Sequence, residues 1–189
     1  MIVKHPVQLK FLLVLFLLIF NGTTFVYGQE DYQDGYVVTT KNDTLFGLVS
    51  DRKLGPFGGI HDKVKLKGNR LKKRFSTKQI QSYKKGDIVY KTMFLDGKYE
   101  FLRVISEGAV SHYVYELQQQ GEEMILDIDY LKKENSSTLV RGTQGIFGLK
   151  RKRLSQFFAN CPPLAEKIQN KELNYIFEVV EFYNEWKEK

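Results

Sequence analysis

The chain has 189 residues, of which 42% are hydrophobic and 27% charged, and its formal net charge is +7. This composition supplies a core for one domain and excludes a disordered, collagen-like or low-complexity chain. The single cysteine, Cys161, excludes an internal disulfide framework and a zinc site built on several thiolates. The sequence has no Walker loop, dinucleotide-binding fingerprint or His-Glu-x-x-His motif. We therefore expect no metal and no organic cofactor.

The first 28 residues have the pattern of a secretory signal peptide. Lys4 and Lys10 bring positive charge to the start, the unbroken apolar run Phe11–Phe20 follows, and Val26 and Gly28 fit a signal-peptidase site. The alternative is a retained anchor, but crossing a bilayer takes about 20 apolar residues and this run is half as long. Cleavage after residue 28 would leave 161 residues with a formal charge of +5. We expect that mature protein in the periplasm, at the cell surface or secreted, without a transmembrane span.

Residues 29–149 alternate between segments typical of strands and segments typical of turns. β-branched and aromatic residues predict a hairpin over residues 35–49, and Lys63–Lys67 alternates strictly, with Val64 and Leu66 on one face. Residues 76–83 predict a short strand or bend. Further strands are predicted on both sides of the Asp96-Gly97 turn and beyond it, at 87–94, 98–105, 111–117 and 124–130.

The pattern changes to helical near residue 150. Apolar residues in 151–160 are spaced as on a helix, and Pro163 suits the first turn of a second short helix. A last helix, with Asn174 as its cap, carries an apolar stripe made of Ile176, Val179, Val180 and Tyr183.

Together these elements predict an α+β fold. An antiparallel β-meander or small barrel-like sheet would occupy residues 29–149, and two or three C-terminal helices over residues 150–189 would pack on it. Cys161 is expected to be buried, because Phe157, Phe158 and Leu164 surround it in the sequence.

Basic residues form the most conspicuous cluster. Closely spaced cations raise the local potential and bind polyanions with release of counterions. Behind a signal peptide, the expected partners are anionic lipid headgroups, lipopolysaccharide or an acidic glycan, and not nucleic acid. The alternative is a solvated strand face and a charged linker that keep the protein soluble. The cluster, which contains no acid, consists of Lys63, Lys65, Lys67, Arg70, Lys72, Lys73 and Arg74, and a second cluster covers Lys150–Arg153.

A Cys-His hydrolase is one catalytic alternative. It would need Cys161 close to His61 or His112, with the histidine held by an acid. No Gly-rich loop or evident oxyanion donor lies near the cysteine in the sequence. His112 is instead expected to be a pairing residue on the surface of a strand.

A pair of carboxylates acting on glycans is the other catalytic alternative. Asp127 and Asp129 lie on the same face of a predicted strand, about 7 Å apart by strand geometry, and Glu122-Glu123 is a second possible pair. The same alternation is typical of a half-exposed strand. Tyr113 and Tyr115 would stack on sugar rings or, in the ordinary case, pack across strands.

The stretch Gly35–Gly47 resembles the opening of a group of exported Bacteroidota proteins of unknown function. That group begins, after a signal peptide, with a Gly-aromatic strand, a short turn and an Asp-Thr that leads the second strand. Tyr83 and the segments 101–108, 157–162 and 182–184 are also similar to the group's pattern. The resemblance implies an envelope or secreted location and carries no catalytic residue.

These observations favour an exported, non-enzymatic binding or structural module. Two alternatives stay open at this point. The first is an enzyme acting on envelope glycans through carboxylates. The second is an outer-membrane β-barrel, which would need lipid-facing alternation through about seven to nine strands.

Overall fold

A computed structural model describes residues 31–51, 63–68, 71–118, 125–143 and 148–189. The predicted signal peptide lies outside the described residues, as do His61, Arg70 and Glu122-Glu123. The described residues include no helix long and apolar enough to cross a membrane.

The elements follow the predicted order of strands and then helices. The strands are β1 (Gln33–Thr39), β2 (Thr44–Ser50), β3 (Lys63–Gly68), β4 (Leu71–Ser76), β5 (Ile80–Lys85), β6 (Ile88–Leu95), β7 (Lys98–Ser106), β8 (Val110–Gln118), β9 (Ile125–Lys133) and β10 (Val140–Arg141). The helices are α1 (Arg151–Phe157), α2 (Pro162–Gln169) and α3 (Ile176–Glu188).

All ten strands form one open antiparallel sheet in the order β10-β9-β8-β7-β6-β5-β1-β2-β3-β4. The predicted α+β fold, an antiparallel sheet followed by C-terminal helices, is confirmed, and the helices number three. The sheet departs from a simple meander at one point, where β5 pairs with β1 and not with β4. The predicted hairpin turn between β6 and β7 is confirmed as well, since Asp96 and Gly97 have φ angles of 47° and 88°. Positive φ at both central residues is what a tight two-residue hairpin needs.

The five strands from β5 to β4 curl around one face of the sheet. In a flat sheet, four strand spacings would separate β4 from β5 by about 19 Å. The chain passes from Ser76 to Ile80 in four residue steps, which reach at most about 14 Å. The Gln79 amide also donates to the Ser76 carbonyl at 3.0 Å, which shortens this connection further. The sheet therefore bends so that its β4 edge approaches β5.

Inside this curl lies a core made by the sheet alone. Val64 and Leu66 are 1% and 0% exposed, as the alternation of β3 predicts. Tyr83 is fully buried and stacks on Tyr90 with ring centroids 4.7 Å apart. We call the side of the sheet that carries these residues the first face. The sheet core consists of Val37, Val49, Val64, Leu66, Phe75, Ile80, Tyr83, Tyr90 and Phe101.

The three helices pack against the first face further along the sheet, over β8 and β9. Their predicted apolar stripes are buried, and Cys161 is fully buried among them, as predicted. The helix core consists of Val110, Leu131, Leu149, Leu154, Phe158, Cys161, Leu164, Ile168, Ile176, Val179, Val180 and Tyr183.

A third cluster lies on the opposite, second face of the sheet. It contains Leu95, Leu102, Tyr113, Ile128 and Tyr130, with Tyr115 packed against it. Burial there raises the pKa of the Tyr130 hydroxyl above its ordinary value of 10.0, and the nearby Asp96 carboxylate adds to the rise. The position of Tyr113 in this cluster, with Tyr115 packed against it, is the cross-strand packing expected for these two residues.

Helix α3 begins one residue later than the predicted cap implies. Tyr175, not Asn174, is the N-cap residue. The Glu178 carboxylate accepts the backbone N–H groups of Asn174 at 2.7 Å and Tyr175 at 2.9 Å. These two bonds hold the pKa of the Glu178 carboxyl below its ordinary value of 4.5. A carboxylate at the third position of α3 thus binds the backbone N–H of the N-cap residue, as in a capping box.

Candidate functional site

The β3–β4 hairpin places five of the predicted cations on the second face of the sheet. Lys65 lies opposite Arg74, and Lys67 lies opposite Lys72. Opposite residues of an antiparallel pair share a face, and alternate residues along a strand share it too. We call this surface the basic face, and it consists of Lys63, Lys65, Lys67, Lys72 and Arg74.

Four of these cations are exposed, and Lys65 is half-buried. Lys73 does not belong to the basic face, because it lies opposite Leu66 and therefore on the first face. Its ammonium stands 5.1 Å from the centre of the Phe75 ring, a cation–π contact. Because alternate residues of a strand lie on opposite faces, the predicted cluster is divided between the two faces of the sheet. Arg70 lies outside the described residues.

The spacing of the basic face is set by the hydrogen-bonded ladder of the sheet. Opposite side chains start about 5 Å apart, and like charges placed directly opposite repel. An anion that lies along the hairpin would be contacted by several cations at once and would relieve that repulsion. The arrangement can therefore bind an extended polyanion, because the strand backbones fix the positions from which the cationic side chains extend, and only these side chains need to be ordered on binding.

One residue of the second predicted basic cluster, Arg151, forms hydrogen bonds within the protein. Arg151 donates from Nη1 to the carbonyl of Ile168 at 3.1 Å and to the carbonyl of Leu173 at 2.7 Å. It thereby ties the start of α1 to the end of α2 and the loop that follows. Lys152 and Arg153 are exposed. The structure does not bring this cluster together with the basic face in any described contact.

Carboxylates on the first face of β8 and β9 form a different charged group. Glu116 lies directly opposite Asp127, and Arg103 of β7 is near both. Arg103 Nη2 donates to Asp127 at 3.2 Å, and Arg103 Nε lies 3.1 Å from Glu116 Oε1. Two acids that face each other across a ladder repel, and the guanidinium between them offsets this repulsion. The group therefore has a structural explanation.

Asp129, two residues after Asp127 on β9, contacts His112 and Thr143 through its carboxylate. His112 Nε2 lies 2.6 Å from Asp129 Oδ1, and the Thr143 hydroxyl donates to Asp129 Oδ2 at 2.9 Å. The prediction that His112 is a surface residue is wrong, since only 5% of it is exposed. The alternation of β8 places it on the first face, which the helices cover. Asp127 and Asp129 share a face, as predicted, but each binds a different partner.

The same geometry bears on the predicted Cys-His pair. His112 does have an acid partner, as that hydrolase would require. Cys161, however, is fully buried in the helix core at the start of α2. A substrate would reach its thiol only if the helices separated from the sheet.

Two of these functional groups were not singled out from the sequence. Arg103 and Glu116 meet because β7, β8 and β9 are neighbours in a particular register. Glu116 lies opposite Asp127 in the β8–β9 pair. The sequence would predict this pairing only if it also showed which residues form the centre of the connecting turn.

Among the described residues, no three histidine, cysteine, aspartate or glutamate side chains come together in a way that would hold a metal ion. Comparison of the chain with protein-family models, with curated proteins and with solved structures finds no match.

Proposed function

We propose that this protein is an exported, non-enzymatic binding module that attaches to an extended polyanion through its basic face. The observation that carries the proposal is the register of β3 and β4, which aligns Lys65 with Arg74 and Lys67 with Lys72. No acid interrupts either strand. In the envelope of a bacterium, the partners that fit are anionic lipid headgroups, lipopolysaccharide phosphates or an acidic glycan.

The export part of the proposal is supported by the N-terminal sequence. Signal-peptidase cleavage after Gly28 would make Gln29 the first residue of the mature chain. When the full-length gene is expressed in a Gram-negative host, we expect intact-mass spectrometry of the periplasmic or membrane fraction to give the mass of residues 29–189. Recovery of the uncleaved chain from the cytoplasm would contradict this part.

Binding through the basic face is tested by replacing Lys63, Lys65 and Lys67 with glutamine. Each cation that is removed from the contact by mutation reduces the number of counterions released on binding by about one. We therefore expect the slope of log affinity against log salt concentration, measured on heparin, to fall by about 2–3. Retention on vesicles that contain an anionic lipid should fall in parallel, with neutral vesicles as the reference.

The matched control removes the same charge from elsewhere on the surface. Lys41, Lys171 and Lys189 are exposed and lie outside the basic face. Their replacement by glutamine should leave the salt slope unchanged to within about one counterion. An equal loss in both triple variants would mean that net charge, and not the basic face, causes retention.

A further inference from the structure

A cleft of about 660 Å³ lies apart from the basic face, where β5, β6 and β7 meet the β4–β5 connection. Its walls come from separate parts of the chain: Lys78 from the connection, Lys91 from β6 and Lys132 from β9. A second depression of about 480 Å³ shares Lys91 and Lys132 with the first. Because the two depressions share these lysines, we treat them together as one groove.

The charged side chains that line the larger part of the groove are all cations. The described residues that line the larger part include three lysines and no carboxylate. Lys91 and Lys132 are half-buried, so part of each side chain packs against the protein beside the cleft. The smaller part is also lined by two carboxylates, Glu134 and Glu107, and Glu107 forms an ion pair with Lys91. Because the side chains of that pair are 36% and 55% exposed, an anionic ligand would displace the glutamate at little cost.

Uncharged groups of the lining fit a polyhydroxylated ligand. Hydroxyl groups of Thr40, Thr77 and Ser82 and the amide of Gln81 border the same space. Tyr99 also lines the cleft and is 48% exposed. Its ring packs edge-to-face against the Phe94 ring, with the ring centroids 5.3 Å apart. Hydroxyls and amides bond sugar hydroxyls, and an exposed aromatic ring offers a flat surface for a sugar ring.

We infer that this groove binds a short anionic oligosaccharide, of which Lys91 and Lys132 contact the acidic groups and Tyr99 contacts a sugar ring. The volume of the cleft is that of a small-molecule site and matches two or three sugar rings rather than a long polymer. The site is distinct from the basic face, which is an open surface on β3 and β4. It does not depend on whether the basic face binds a polyanion.

Isothermal titration calorimetry with trigalacturonate on the purified protein tests the inference. We expect trigalacturonate to bind, the neutral trisaccharide maltotriose to bind at least about tenfold more weakly, and inorganic phosphate to bind more weakly than trigalacturonate. The variant Lys91→Gln/Lys132→Gln should lose at least about tenfold in affinity, because two charge-assisted bonds are removed. Thermal melting would verify that this variant is folded.

The variant Lys63→Gln/Lys67→Gln is the matched control, because it removes two lysines from the basic face. It should bind trigalacturonate as the unchanged protein does, while its salt slope on heparin falls by about 2. The two lysine pairs thus report separately on the groove and on the proposed function. The variant Tyr99→Ala, which leaves the charge unchanged, should weaken trigalacturonate binding several-fold.

Four results would overturn the inference. They are no binding of trigalacturonate up to about 10 mM, equal affinity in the Lys91/Lys132 variant, equal affinity for maltotriose, and phosphate binding as tight as trigalacturonate. An unchanged affinity in the Tyr99→Ala variant would contradict the assigned sugar contact.

Discussion

Replacement of Phe158 by alanine is expected to lower the free energy of unfolding by about 3–5 kcal/mol, the largest loss from a single substitution that we foresee. Phe158 is fully buried at the end of α1, in the centre of the helix core. Its ring lies 4.8 Å from that of Phe157 and 4.9 Å from that of Tyr183. The cavity left by the ring would be surrounded by side chains from the helices and the sheet, which cannot all move inward.

Lys133 of β9 also contacts the Phe158 ring. The Lys133 ammonium lies 5.6 Å from the Phe158 ring and 5.4 Å from the Tyr183 ring. It also donates to the Phe157 carbonyl and the Asn160 side chain, at 2.6 Å each. The strand β9 is thus joined to the end of α1, and loss of the Phe158 ring would remove one of the cation–π contacts of this ammonium.

The control for this prediction is Phe177→Ala in α3. The chemical change is the same, but Phe177 is 58% exposed and stacks only on exposed Tyr175 in the described contacts. We expect a cost below about 1 kcal/mol. Urea unfolding followed by circular dichroism measures both variants. Equal costs would show that α3 and its neighbours do not form the core described above.

Replacement of Asp129 by alanine is expected to lower the free energy of unfolding by about 2–4 kcal/mol. Its carboxylate is the acceptor for the Thr143 hydroxyl and the partner of the His112 ring. Both of those residues are buried, at 8% and 5% exposed. Without the carboxylate, the His112 ring and the Thr143 hydroxyl proton would lose this acceptor in a place to which water has little access. The Thr143 oxygen would keep its bond from the Asp129 backbone N–H at 3.1 Å.

Asp127 offers a matched control on the same strand and the same face. Its side chain is 45% exposed and its described partner is Arg103, which also lies close to Glu116. Since partly exposed ion pairs contribute little, we expect Asp127→Ala to cost at most about 1 kcal/mol. Chemical unfolding of the two variants under identical conditions gives the comparison. If Asp127→Ala cost as much as Asp129→Ala, the assignment of Asp129 as the residue that ties β9 to Thr143 would be wrong.

Local patterns in the sequence were sufficient for most elements of the fold. The alternation of β3 predicted that Val64 and Leu66 would be buried, and the Asp96-Gly97 pair predicted a hairpin turn. The spacing of Ile176, Val179, Val180 and Tyr183 predicted the buried side of α3. In each case the residues that decide the structure are within a few positions of one another, so a period of two or of 3.6 is visible directly.

Elements without such a pattern were missed or misplaced. The β4 strand is rich in lysine and arginine and has weak strand propensity, so its pairing with β3 decides its conformation. The same register then separates Lys73 from the other cations of the hairpin. The sequence predicts a surface position for His112 from its place between Ser111 and Tyr113 in a strand, whereas the helices that pack on this face of the sheet are formed by residues 151–188.

The sequence by itself determined that this chain forms an antiparallel sheet followed by helices and that cations concentrate near β3 and β4. Only the tertiary structure decided that β5 pairs with β1, that Arg103 lies between Glu116 and Asp127, and that Lys78, Lys91 and Lys132 line one groove. The physical reason is the range of the interactions. Periodicity reports which side of an element avoids water, whereas pairing of distant strands depends on how all the apolar faces are buried together.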